Sequence, residues 1–313
     1  MINRRHIRLK VMQSLYSYFS SFNKDMAVTE KEMMKNINSI SELHVLLLSL
    51  LVEINSFADQ FLEDNKTKYI PSAEDLNPNT KFVNNRVIEI LQEDEIFMKK
   101  MKRLSGIWRK GDIDIVRKLF VDIYKSPQYS DYLNNEKDSF SDDKKFIQVL
   151  YTEFILDNDI LHHVLQERSI FWDDDLPFVA SFIKNQINFL DENKIRPFVV
   201  DVFKNSDDKK FAVQLFRKTI IHSDEFDELI QKNVKNWELE RIANMDQLLI
   251  KMALVEVISF QEMPIKVSFN EYIEISKYYS TEKSKEFING ILDKIVSQFK
   301  RDGKVKKVGR GLV

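Results

Sequence analysis

The chain has 313 residues, of which 43% are hydrophobic and 31% charged, enough apolar content for one large domain or two modest ones. It has only six glycines, six prolines and no cysteine, which leaves little to build hairpin corners, no GxGxxG or GxxxxGKS/T phosphate loop, and no disulfide, Cys-ligated zinc or Cys nucleophile. A net charge of −2 hides an asymmetry: residues 1–21 carry +4, residues 276–313 carry +6 and the rest −12, so either an anion-binding face is localised at the chain ends or terminal lysines simply solubilise them.

Helical periodicity runs from end to end. Ile7, Val11, Leu15, Tyr18, Phe19 and Phe22 form one stripe of a first helix. Arg5, Leu9, Met12 and Tyr16 form a second face, which reads either as a second buried side or as a partner surface. Further helices are predicted over 30–40 and 42–63. The apolar stretch Leu43 to Ile54 is too short to span a bilayer and reads as a core helix. The basic start is followed by no continuous apolar run, so no signal peptide or membrane is expected and the location is taken as cytoplasmic.

The breaker-rich stretch 65–85, with Pro71 and Pro78, is the candidate boundary. Helices are then predicted over 82–104, 112–125, 142–156, 158–169, 175–190 and 208–221. Asp142-Asp143-Lys144-Lys145-Phe146 recurs 65 residues on as Asp207-Asp208-Lys209-Lys210-Phe211. The same offset pairs Leu150 with Leu215, Gln166 with Gln231 and Trp172 with Trp237. This is either a duplicated helix pair or convergent use of Asp-Asp at helix starts. In the last third, a helix is predicted over Glu238 to Phe260. Ser268 and Glu271 are spaced as a capping box for the next, and Ser280 or Thr281 as the cap of the final one. Gly290 inside that final helix implies close helix packing or a nearby ligand.

Nothing in the chain marks a catalytic or metal centre. His6, His44, His162, His163 and His222 make no HExxH or similar spacing. Asp173-Asp174-Asp175 before Pro177 reads as a helix start rather than a metal triplet, and no nucleophile elbow occurs. The chain is therefore expected to be all-α and not an enzyme.

Three ordered C-terminal segments carry a more specific signal. They are Glu240-Arg241-Ile242 with Met245-Asp246, Leu248-Leu249, Ala253 and Glu256; Pro264 through Glu271 followed by Ile273 to Lys277; and Phe287-Ile288-Asn289-Gly290-Ile291-Leu292-Asp293-Lys294. With Arg4-Arg5-His6-Ile7-Arg8 and Gln13-Ser14-Leu15-Tyr16 at the start, these segments resemble the NusB family of transcription antitermination factors. The resemblance implies a pair of helical bundles without a cofactor. It also implies binding of boxA-like single-stranded RNA of ribosomal RNA operons, together with ribosomal protein NusE and the RNA polymerase elongation complex. Carried onto matching positions, Arg4, Arg5 and Arg8 would contact phosphates, and Tyr16 and Phe287 would lie near bases. Lys283 and Lys285 stand where relatives often carry acidic and histidine residues, adding positive charge to that surface. The expected organisation is 1–64 as the N-terminal part of the NusB-like fold, 65–205 as a helical insertion, 206–300 as the C-terminal part and 301–313 as a basic mobile tail. Two alternatives remain open: a helical protein-interaction scaffold that kept the fold without RNA binding, and an RNA-modifying enzyme, which the missing Gly-rich segment disfavours.

Overall fold

A computed structural model describes residues 1–104, 108, 115–136, 138–172, 174–193, 197–234 and 242–307. Among the described residues the protein is all-α, without a β-strand. The Glu240-Arg241 pair, Asp173, Trp237 and the last six residues of the expected tail lie outside the described residues.

Helix α1 (Arg4–Ser20) starts at Asn3, whose side chain accepts the His6 N–H and satisfies an otherwise orphaned donor. It buries Ile7, Val11 and Leu15 of the predicted stripe. It also buries Arg8, Lys10 and Met12, while Phe22 of the same predicted stripe lies beyond the helix and is fully exposed. Helix α2 (Met26–Lys66) replaces the two helices expected over 30–40 and 42–63. No Gly or Pro lies between the two expected helices to stop the chain, and the helix runs through. α2 is long and apolar enough to cross a bilayer, yet 72% of its most apolar window is buried within the protein.

After the short α3 (Ala73–Leu76), the helix expected over 82–104 is two helices, α4 (Arg86–Glu93) and α5 (Glu95–Leu104). The start moves to Arg86, where Asn85 caps α4 by accepting the Val87 N–H, and the split falls at Asp94, which accepts the Phe97 N–H at 3.0 Å and so caps α5. Next come α6 (Ile115–Tyr124), α7 (Pro127–Asn134), α8 (Phe140–Val149) with a π-helical continuation over Leu150–Ile155, α9 (Asp159–Arg168) and α10 (Leu176–Asn188). The chain continues with α11 (Ser206–Ile221), α12 (Ser223–Asn233), α13 (Asn244–Ser259), α14 (Ile265–Tyr279) and α15 (Ser284–Arg301).

Two compact units result. One comprises Met1 and Asn38–Val202, the other Ile2–Ile37 and Phe203–Val313. The first unit has an aromatic core in which Phe120, Tyr129, Phe82 and Phe146 meet edge to face or tilted. Trp108 and Tyr151 tie their polar ends to α2 through Ser49 and the Leu47 carbonyl, so neither buried donor is orphaned. The second unit is organised round α13. Every residue from Leu248 to Val257 on it is buried, and α1, α11, α12, α14 and α15 all pack against it. That pattern defines a central helix, buried on every side.

His44 in the first unit is wholly buried and bonds Gln186 through Nε2 at 2.7 Å. Burial lowers its pKa from 6.5 to about 4, and His6 in the second unit is lowered similarly by burial and the nearby Lys10. Between those pH values the unfolded chain binds a proton that the folded chain does not. Stability is therefore complete above pH 6.5 and falls as pH drops towards 4, by up to about 1.4 kcal/mol per pH unit for each histidine. Urea unfolding at pH 7 and pH 5 checks this: His44→Asn is expected to shrink the difference between the two midpoints relative to the natural chain.

Candidate nucleic-acid interface

The basic start of the chain folds into a ladder of ion pairs along α1. Arg4 Nε lies 3.1 Å from Asp208 of α11, and its guanidinium stands 5.3 Å over the Phe211 ring. Arg5 forms a bidentate pair with Glu271 of α14 at 2.9 and 3.0 Å and stays half exposed. Arg8 turns inward. It is 2% exposed and binds both oxygens of Glu256 on α13, at 2.8 and 2.6 Å.

Glu256 is the centre of this cluster. Its carboxylate also accepts the hydroxyls of Ser268 at 2.7 Å and Tyr272 at 2.9 Å, so each oxygen has two donors. Burial opposes charge on Arg8, but the hydrogen bonds and field of Glu256 outweigh it and the guanidinium pKa rises. Burial, then the Glu256 charge, pushes the Tyr272 phenol well above its usual value. The hydrogen bonds from Arg5 hold Glu271 below the usual carboxylate value.

Two expectations are corrected here. Ser268 and Glu271 do not form a capping box, because α14 already starts at Ile265 behind Pro264; Ser268 lies inside the helix facing Glu256, and Glu271 faces Arg5. Arg8, expected against a phosphate, is enclosed with its own carboxylate. It positions α1, while Arg4 and Arg5 keep exposed guanidinium surface.

The remaining candidates lie on the outer surface. Tyr16 is 43% exposed on α1. Lys283 and Lys285 are exposed at the start of α15, with Lys285 Nζ 3.3 Å from Glu286, and Phe287 is half buried one turn on. Asp246 of α13 fixes that start by accepting the Ser280 hydroxyl at 2.6 Å and the Ser284 hydroxyl at 2.9 Å. Neither Ser280 nor Thr281 caps α15 directly; Lys283 occupies that place without a side-chain bond. The structure thus gathers Arg4, Arg5 and Arg8 into one cluster, and Lys283, Lys285 and Phe287 into another.

Of the two roles expected for Gly290, close helix packing is excluded. A Cβ built there meets nothing within 4 Å, so no neighbouring helix requires the glycine. It sits on the open face of α15, three residues beyond Phe287 and seven beyond Lys283, on one helical stripe. Sequence reading also missed Tyr278, 82% exposed at the end of α14, and the hub Glu256. The signal for Glu256 was available: one carboxylate inside the otherwise apolar run 252–257 needs a cation from elsewhere. Beyond α15, Lys304 reaches towards Glu225 and Lys307 donates to the Phe260 carbonyl at 2.9 Å, so this part of the expected mobile tail docks on its own unit.

Comparison with known proteins adds an independent line. A family model described as the NusB family matches residues 182–297. The transcription antitermination protein NusB of Salinibacter ruber is 46% identical over 105 residues, 34% of this chain and 66% of that protein. The protein of the same name from Chloroherpeton thalassium is 42% identical over 113 residues, 36% of this chain and 54% of that protein. The one from Thermodesulfovibrio yellowstonii is 43% identical over 95 residues, 30% and 63% respectively. The chain therefore spans less than two thirds of the length of these relatives. A solved structure of T. maritima NusB aligns at 25% identity over 51% of this chain and 95% of that chain, with a TM-score of 0.30 that carries no weight for the overall arrangement.

Breaking the buried pair on one side should be severe. Glu256→Gln leaves Arg8 charged and uncompensated, and is expected to cost about 3–5 kcal/mol in urea unfolding. Adding Arg8→Met removes the stranded charge and should recover part of that loss.

Proposed function

We propose, from the premise that residues 182–297 of this chain form a NusB family domain, that the protein is a non-catalytic RNA-binding factor of transcription antitermination. Its RNA is single-stranded and boxA-like, and it acts with ribosomal protein NusE at the RNA polymerase elongation complex. The contact surface is the outer edge of the second unit: Arg5 with Arg4 at the start of α1, Tyr16 further along it, and Lys283, Lys285 and Phe287 on α15. Arg8 serves this surface by holding α1 in place.

One observation carries the reading. Lys283, Phe287 and Gly290 share a stripe that ends in open space. A mid-helix glycine costs about 1 kcal/mol relative to alanine, and no group inside the protein requires it here. A backbone or base approaching from outside would. The cations neutralise phosphates and release counterions, giving affinity that falls with salt. The half-buried Phe287 and the exposed Tyr16 offer ring faces on which unpaired bases stack.

Fluorescence anisotropy with a labelled boxA-like RNA at two salt concentrations, with and without NusE, tests this. Salt-sensitive binding strengthened by NusE is expected, and its absence in both conditions would sink the reading. Arg5→Ala and Lys283→Ala should each weaken binding severalfold and reduce the salt slope by about 1, as phosphate contacts do. Gly290→Ala separates fold from function. It should raise stability by up to about 1 kcal/mol while lowering RNA affinity.

A further inference from the structure

The 65-residue repeat noted in the sequence has a structural counterpart. α8 with its π-helical continuation runs Phe140–Ile155, and α11 runs Ser206–Ile221. α9 ends at Arg168 and α12 at Asn233, in register with the offset. Core positions coincide helix by helix: Phe146 with Phe211, Leu161 with Phe226 and Ile183 with Leu248 are all buried. The same ionic clasp recurs as well. In each unit a helix capped by Asn opens with Arg, and that Arg binds the second Asp of the repeated motif: Arg4 to Asp208 and Arg86 to Asp143, the latter at 2.7 Å. A shared cap, cation, carboxylate and core register is more than the convergent use of Asp-Asp at helix starts.

The two frames then diverge. α13 is followed by Pro264 and the helix α14, and its whole length from Leu248 to Val257 is covered. α10 is followed by Pro197 and a non-helical segment over 198–202. Among the described residues no helix follows α10 in the chain before α11. The result is an open groove with a cavity of about 490 Å³ lined by Phe182, Asn185, Phe189, Pro197 and Val199. Phe189 is 77% exposed and Asn185 is exposed, whereas their counterparts at the same offset, Leu254 and Ile250, are fully buried.

We propose that the first unit is a second, diverged copy of the α1/α11–α13 frame, and that its groove receives an amphipathic helix of a partner protein where α14 lies in the other copy. The occupant presents aromatic and branched aliphatic side chains at the spacing of Ile265, Phe269, Tyr272 and Ile275, the residues that α14 buries. α4, with Arg86 as its only cation, does not repeat the basic face of α1, so the copy is suited to a protein helix rather than to RNA.

The test uses the full chain and a fluorescein-labelled, end-blocked peptide with the sequence of residues 264–279. Saturable binding by anisotropy is expected, weakened at least tenfold by Phe189→Glu and by Asn185→Arg. Both positions are solvent-exposed, and circular dichroism should show the helix content unchanged. No saturable binding to the natural chain, or equal binding to the natural chain and both variants, would overturn the proposal. This outcome is independent of whether the second unit binds RNA.

Discussion

Glu256 lies near the end of a helix that is buried on every side, and a lone carboxylate there would be prohibitively costly. It is tolerated because Arg8 supplies a bidentate guanidinium and Ser268 and Tyr272 supply hydroxyls. Those donors come from α1 and α14, so satisfying one charge fixes two helices against α13 at once. A hydrophobic side chain would pack there without demanding any partner. The polar cluster makes the arrangement specific, because the wrong register of α1 or α14 leaves the charge unpaired.

This constraint sorts the cations at the start of the chain. Arg4, Arg5 and Arg8 look alike in the sequence and lie within one and a half turns. Their environments differ steeply: two retain exposed guanidinium surface and the third has almost none. The outer pair also meet carboxylates, so a phosphate arriving at Arg5 competes with Glu271 rather than finding a bare charge. Exposed pairs of this kind contribute little to stability, which leaves Arg5 available for exchange in a way that Arg8 is not. Asp246 performs a related service on the other side, where its bonds to Ser280 and Ser284 set the first turn of α15 and so the direction of Lys283, Lys285 and Phe287.

The long stretch between the two basic ends forms a packed unit of its own, with a frame that parallels the one beside it in the chain. Duplication explains why an otherwise anonymous segment carries Asp-Asp-Lys-Lys-Phe at the same place in an equivalent helix. Divergence explains the open groove, since a copy that loses its covering helix keeps the apolar surface which that helix once buried.

The sequence by itself determined the helical class, because 3.6-residue periodicity runs from end to end and the scarcity of glycine leaves little to build hairpin turns. It also determined the motif order of the C-terminal third and the surface position of Lys283 and Lys285 at a helix start. Tertiary structure decided whether a cation is a contact or a strut, because that depends on a carboxylate 248 residues away along the chain. It decided that Ser268 faces Glu256 and Glu271 faces Arg5 rather than capping a helix, since Pro264 had already started that helix upstream. It decided that α2 is one helix of 41 residues, where the sequence pattern suggests two and no Gly or Pro lies between them to break it. And it showed that Gly290 faces open space, which spacing within a helix cannot reveal: the pattern states which residues share a face, but not what lies opposite it.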